Sequence, residues 1–128
     1  MRLLLDTHIA LWAIADDARL SAEARQLICA PDNDIWVSVA SVWEIAIKHS
    51  LGRGGMPVSA ARALGYFEDA GYDLLPVRAN HASAVEQLPP LHGDPFDRML
   101  VAQALSEPLR LLTHDAAVAR YDKNIVLV

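Results

Sequence analysis

Residues 2–6 read Arg2-Leu3-Leu4-Leu5-Asp6, a short apolar run without polar alternation that stops on a carboxylate. A strand with one wet face alternates apolar and polar side chains, whereas a strand covered on both faces is continuously apolar. The run therefore predicts an inner strand of a parallel sheet. Similar runs recur at about 35–39 (IWVSV), 73–77 (DLLPV), 109–113 (LRLLT) and 125–128 (IVLV).

Helical stretches lie between them, each with a polar cap candidate at one end and a breaker at the other. Ser21 precedes AEARQLICA, with Pro31 beyond it, and Ser41 precedes VWEIAIKHSL, which ends near Gly52. Ser59 precedes AARALGYFEDA, closed by Gly71, and Asn80 precedes HASAVEQL, closed by Pro89-Pro90. Asp94-Pro95 opens FDRMLVAQAL, closed by Pro108. Strands alternating with helices predict an α/β three-layer sandwich, in which helices flank a central, mainly parallel sheet of about five short strands. The GRGG stretch at 52–55 is a turn too short to link domains, so residues 1–128 are expected to form one domain.

Composition agrees with that. A chain of 128 residues that is 53% hydrophobic supplies one core. The lone Cys29, expected to be a small buried helix residue, allows no internal disulfide and suits a reducing cytoplasm. Leu3-Leu4-Leu5 is too short for a secretory signal, and no stretch reaches the ~20 apolar residues of a membrane span. Trp12, Trp36 and Trp43 sit in apolar contexts and are expected in the core or an interface, which makes self-association plausible.

In open parallel sheets, sites form beyond the carboxyl ends of the strands. Asp6 follows the first strand, and Ser41-Val42-Trp43-Glu44 follows the second. Asp97 lies in the first turn of the helix opened by Asp94, and Thr113-His114-Asp115 follows the fourth strand. Each acid alone has an ordinary explanation. Asp6, Asp94 and Asp115 suit helix caps, Ser41 and Glu44 have capping-box spacing, and an acid at Asp97 suits the helix dipole. Together they place four acids at one edge. Carboxylates held that close repel one another unless a cation joins them. Oxygen-only donors suit Mg²⁺ or Mn²⁺, and the chemistry such an ion implies is phosphodiester hydrolysis.

Lys48, Arg53 and Arg98 are candidates for a phosphate-facing rim, against the plainer reading of scattered surface charge. The five histidines show no zinc-ligand spacing and are expected to be ordinary, including His92 and His114. The net charge of −5 argues mildly against nucleic acid, because phosphate binding usually draws on Lys and Arg.

RLLLDTHIALW at the N-terminus, SVWE after the second strand, HGDPFDRMLVAQA near residue 100 and LLTHDAAVARY near 115 together resemble the PIN domain. They resemble most closely the VapC-type toxins of bacterial type II toxin–antitoxin modules. The resemblance spans nearly the whole chain and implies a PIN-like sandwich with Mg²⁺- or Mn²⁺-dependent endoribonuclease activity. Carried over residue by residue, it implies catalytic and metal-binding roles for Asp6, Glu44, Asp97 and Asp115. It places Asp94 beside the metal ligands and Thr113 as the neighbouring hydroxyl. It also implies an RNA substrate, a VapB-like antitoxin partner, a homodimer and a cytoplasmic location. Three alternatives make different demands. A phosphatase using Asp6 as nucleophile needs a second Asp where this chain has His8, and a phosphoacceptor domain needs a Lys just beyond LRLLT, where none lies. A non-catalytic PIN-like module binding RNA or protein would have no use for four acids.

Overall fold

Leu3, Leu4 and Leu5 are wholly inaccessible to solvent, at the centre of a five-stranded sheet. The computed structural model describes residues 1–52 and 55–128. The strands are β1 (Arg2–Leu5), β2 (Asp34–Ser38), β3 (Asp73–Leu75), β4 (Arg110–Thr113) and β5 (Val126–Leu127). They lie in the order β3-β2-β1-β4-β5, and every pairing is parallel. Leu5 pairs with Val37 on one side and with Leu112 on the other.

Seven α-helices among the described residues cover the sheet: α1 (Thr7–Ala15), α2 (Ala22–Cys29), α3 (Val39–Ser50), α4 (Ala60–Asp69), α5 (Ala79–Ala84), α6 (Pro95–Ser106) and α7 (Ala116–Ala119). Right-handed crossovers that move in opposite directions across a sheet lie on opposite faces. The apolar clusters follow that rule. Leu3 and Leu5 pack with Ile9, Ala24, Ile45 and Phe67 from α1–α4, while Leu4, one residue out of phase, packs with Leu100, Val101 and Val118 from α6 and α7. The period-two alternation of a strand thus splits one leucine run between two cores.

Several boundaries differ from the sequence reading. Helix α3 starts at Val39 rather than after Ser41, because β2 runs directly into it and the Ser38 hydroxyl accepts the Ala40 N–H at 3.0 Å. Ser38 Oγ in turn donates to Gln103 Oε1 at 2.5 Å, joining the start of α3 to α6 through two wholly buried side chains. Strand β3 ends at Leu75, since Pro76 has no N–H to continue the ladder. Helix α5 is capped at Arg78 rather than Asn80, where the His81 ring Nδ1 accepts the Arg78 N–H at 3.0 Å, and it gives way to a 3-10 turn over Val85–Gln87. Cys29 is exposed at the last position of α2, not buried. Trp43 is 63% exposed, so it belongs to no core. Gly52 follows α3 with φ of +63°, a left-handed conformation that favours glycine, and Arg53 lies outside the described residues. Among the described residues no helix is long and apolar enough to cross a membrane.

Candidate metal centre

The chain runs outward from β1 through β2 to β3 and then crosses back to β4 on the other side of β1, and a cleft opens at the carboxyl ends of the strands at such a reversal. Asp6 stands there, one residue past β1 and only 4% exposed. Its backbone N–H bonds to Leu112 O at 3.0 Å, so the side chain emerges level with the end of β4. Asp6 Oδ1 accepts the Ile9 N–H at 2.8 Å and caps α1, while Oδ2 accepts the Thr113 hydroxyl at 2.6 Å. The helix-cap reading and the site reading of Asp6 therefore hold together. One carboxylate does both.

Glu44 is 3% exposed in the middle of α3. Its Oε2 lies 2.5 Å from Lys48 Nζ, one helical turn on. Thr7 Oγ1 lies 2.7 Å from Glu44 Oε1 and 2.9 Å from Ser41 Oγ. Thr7 has one hydroxyl proton and a carboxylate can only accept, so that proton goes to Glu44 and Ser41 supplies its own to Thr7. Ser41 and Glu44 are not a capping box. They are joined to α1 through Thr7 instead.

Asp97 sits at the third position of α6, behind Pro95 and the cap residue Asp94. Asp94 Oδ1 accepts N–H bonds from Phe96 at 2.8 Å and Asp97 at 3.3 Å. Burial raises the Asp97 pKa to about 6 from the usual 3.8, and the negative charges of Asp94, Asp6 and Glu44 add to the shift. A hydrogen bond from His92 Nε2 to Asp97 Oδ2, 2.9 Å long, works against it. Asp115 caps α7 through Oδ1, 2.8 Å from the Ala117 N–H, and turns Oδ2 to within 3.3 Å of the same His92 nitrogen.

The neighbouring cations feel the same acids. Burial disfavours the Lys48 ammonium, yet its bond to Glu44 and the charges of Glu44, Asp94 and Asp97 outweigh that and raise its pKa. His114, whose Nδ1 lies 3.8 Å from Asp6 Oδ2, has its pKa raised chiefly by that facing carboxylate and further by the charges of Asp115 and Asp97, against the effect of burial. Asp97 thus feels the charges of Asp94, Asp6 and Glu44, and His114 those of Asp6, Asp115 and Asp97.

Arg98 does not join them. Its guanidinium donates to the carbonyls of Pro89 at 3.0 Å and Val85 at 3.2 Å and to Tyr121 Oη at 2.9 Å, so its expected place on a phosphate-facing rim is corrected to a loop brace. Lys48 does face the acids. His92, read as an ordinary histidine, lies between two of them, and Thr7 was not singled out at all. The one available signal for His92 was its place two residues before the cap Asp94, since no helical spacing marked it.

The donor set fits a hard divalent cation. It consists of carboxylate oxygens, most already oriented by a hydrogen bond as metal-ligating carboxylates usually are. Among the described residues, Asp97 Oδ1 has no hydrogen-bond partner, which leaves one oriented oxygen free in the most strongly charge-strained group.

A family model described as PIN domain matches residues 3–124. No curated protein matches the chain. Among solved structures, the chain is similar to VapBC2 from Rickettsia felis bound to a DNA fragment from their promoter, with 19% identity and a TM-score of 0.72 over 100% of this chain and 98% of that one. It is also similar to a toxin–antitoxin complex from Klebsiella pneumoniae, at 17% identity and a TM-score of 0.64, covering 97% of this chain and 95% of that one. VapBC-1 from nontypeable Haemophilus influenzae gives 16% identity and a TM-score of 0.64, with 100% and 97% covered.

Proposed function

The chain belongs to the PIN domain family, and from that premise we propose that it is a metal-dependent endoribonuclease acting as the toxin of a type II toxin–antitoxin module. The observation that supports the reading is the raised pKa of Asp97. Burial raises it first, and the charges of Asp94, Asp6 and Glu44, which come from other elements or the cap of its own, raise it further, while Asp115 approaches the same His92 nitrogen as Asp97. Such a set of acids is costly unless a cation joins it.

In this reading Mg²⁺ or Mn²⁺ is held by Asp6 and Asp97, with Glu44 and Asp115 completing the acidic set. A divalent ion there supplies positive charge against a phosphodiester and acidifies water. The chain's own residues hold the geometry. Thr113 fixes Asp6, Thr7 fixes Glu44, and Asp94 anchors the first turn of α6 beneath Asp97. Lys48 stands beside the acids as the side chain best placed to meet a phosphate oxygen.

The partner reading is supported by the structural neighbours, which include VapBC and other toxin–antitoxin complexes. We infer a VapB-like antitoxin here and a location in the cytoplasm, where RNA is available. An apolar cavity of about 490 Å³, lined by Val39, Trp43, Val77, Phe96 and Met99, supports a protein interface. Trp43 meets Phe96 edge-on at 5.3 Å within it, and we assign this face to a homodimer contact. Residues 1–128 would then act as one nuclease domain.

The test is incubation of the purified protein with total RNA. Cleavage should require Mg²⁺ or Mn²⁺, stop on addition of EDTA, and be lost in Asp6→Asn and Asp97→Asn while both remain folded. Full activity in either variant, or in EDTA, would overturn the mechanism. RNA held without being shortened would mark a non-catalytic binding module instead.

A further inference from the structure

His92 lies in the loop before α6, and its ring is directed by bonds on both sides. Nδ1 accepts the Gly93 N–H at 3.1 Å, so the proton of the neutral ring sits on Nε2. Nε2 is 2.9 Å from Asp97 Oδ2 and 3.3 Å from Asp115 Oδ2. One ligand atom from each of the three residues falls within 4.8 Å of the others. Two carboxylates from unconnected elements repel at that separation, and an N–H that is bonded to Asp97 and stands 3.3 Å from Asp115 offsets the repulsion.

The loop itself is held in place. The His92 N–H donates to Tyr121 Oη at 2.9 Å, and the same oxygen accepts from Arg98 Nη1 at 2.9 Å. Arg98 also binds the carbonyls of Pro89 and Val85, upstream in the same connection. The arginine expected at the substrate rim therefore fixes where the His92 ring stands.

Resting on the metal-centre reading above, we propose that His92 is a positioning residue: its Nε2–H binds Asp97 Oδ2, its ring stands between Asp97 and the Asp115 carboxylate, and Asp97 Oδ1 is left for the cation. His92 is not itself a ligand. Coordination through Nε2 would move the ring proton to Nδ1, where the Gly93 N–H already points. The ring also faces Asp115, whose other oxygen is committed to capping α7.

The experiment uses Mn²⁺ alone, without RNA. Mn²⁺ affinity is measured by EPR titration of the wild type, His92→Ala and His92→Gln, and the bound ion is examined by electron spin echo for coupling to ¹⁴N. H92A should bind Mn²⁺ roughly 10- to 100-fold more weakly, the usual cost of losing a hydrogen bond to a metal-ligating group. H92Q, which keeps an N–H donor at the same reach, should bind close to the wild type, and no ¹⁴N coupling should vanish on replacing His92. Undiminished affinity in H92A would remove the positioning role, and a ¹⁴N coupling lost in H92Q would make His92 a ligand. Either result leaves the metal centre standing. A wild-type protein that binds no Mn²⁺ overturns both. Should H92A fail to fold, His92→Met, which fills the space without an N–H donor, takes its place in the titration with the same two outcomes.

Discussion

Replacing Asp97 by Asn should stabilise the metal-free protein while removing its response to metal. The Asp97 carboxyl has a pKa of about 6 in the fold against 3.8 ordinarily, so the folded state holds this proton more tightly than the unfolded chain does. The stability tied to that proton is complete below pH 3.8 and is lost as pH rises through 6. At 1.36 kcal/mol per pH unit, the shift corresponds to about 3 kcal/mol at pH 8. The side chain is still 23% exposed, and solvent screening reduces this to about 2 kcal/mol. Asparagine carries no charge and escapes the cost. With an unfolding entropy near 2.1 cal/mol/K per residue over 128 residues, about 2 kcal/mol raises Tm by about 7 °C. The assay is thermal unfolding followed by circular dichroism in EDTA. D97N should melt about 7 °C above the wild type at pH 8, and the difference should shrink to about a third at pH 4.5, where most folded molecules are already protonated. With Mn²⁺ at about 100 times its Kd, the wild type should gain about 2.7 kcal/mol and D97N much less. A D97N protein melting at or below the wild type at pH 8 in EDTA would refute the reasoning, because the Asp97 charge would then suffer no cost from burial and neighbouring acids to relieve.

Other perturbations separate the parts. Thr7→Val leaves Glu44 Oε1 buried without its donor and should cost about 1–3 kcal/mol by urea unfolding. Lys48→Met removes the ammonium that competes for Glu44, so Mn²⁺ should bind more tightly by titration calorimetry. The same variant should bind uncleaved RNA more weakly, with a salt slope lower by about one. Trp43→Ser should leave stability nearly unchanged, since the ring is 63% exposed, and should shift size-exclusion elution toward a monomer.

The sheet was legible because its inner strands are apolar on both faces, and RLLL and LRLLT have few other readings. The acids stood out as candidates for a related reason. Asp6 and Asp115 follow strands and Asp94 and Asp97 open a helix, points that parallel strands bring to one edge, whereas Glu44 lies in the middle of α3 because that helix starts at Val39. The start of α3 was harder. Ser38 and Ser41 are equally good caps in sequence, and what separates them is Thr7, which reaches Ser41 and Glu44 from an element 34 residues away. His92 was hidden for the same reason, since its partners Asp97 and Asp115 meet only once α6 and β4 are in place. Arg98 and Lys48 look alike as isolated charges. One is spent on loop carbonyls and the other faces carboxylates, a difference that only packing creates. The expected strand over 73–77 ran too far, although the missing N–H of Pro76 already marks its end at Leu75.

We propose above all that Asp6 and Asp97 hold a divalent ion at an edge to which Glu44 and Asp115 also contribute charge. Anomalous diffraction from crystals grown with Mn²⁺ tests it most directly. A manganese peak should lie within bonding distance of carboxylate oxygens of both Asp6 and Asp97. A fully occupied ion elsewhere on the surface, with those two carboxylates bare, would contradict it.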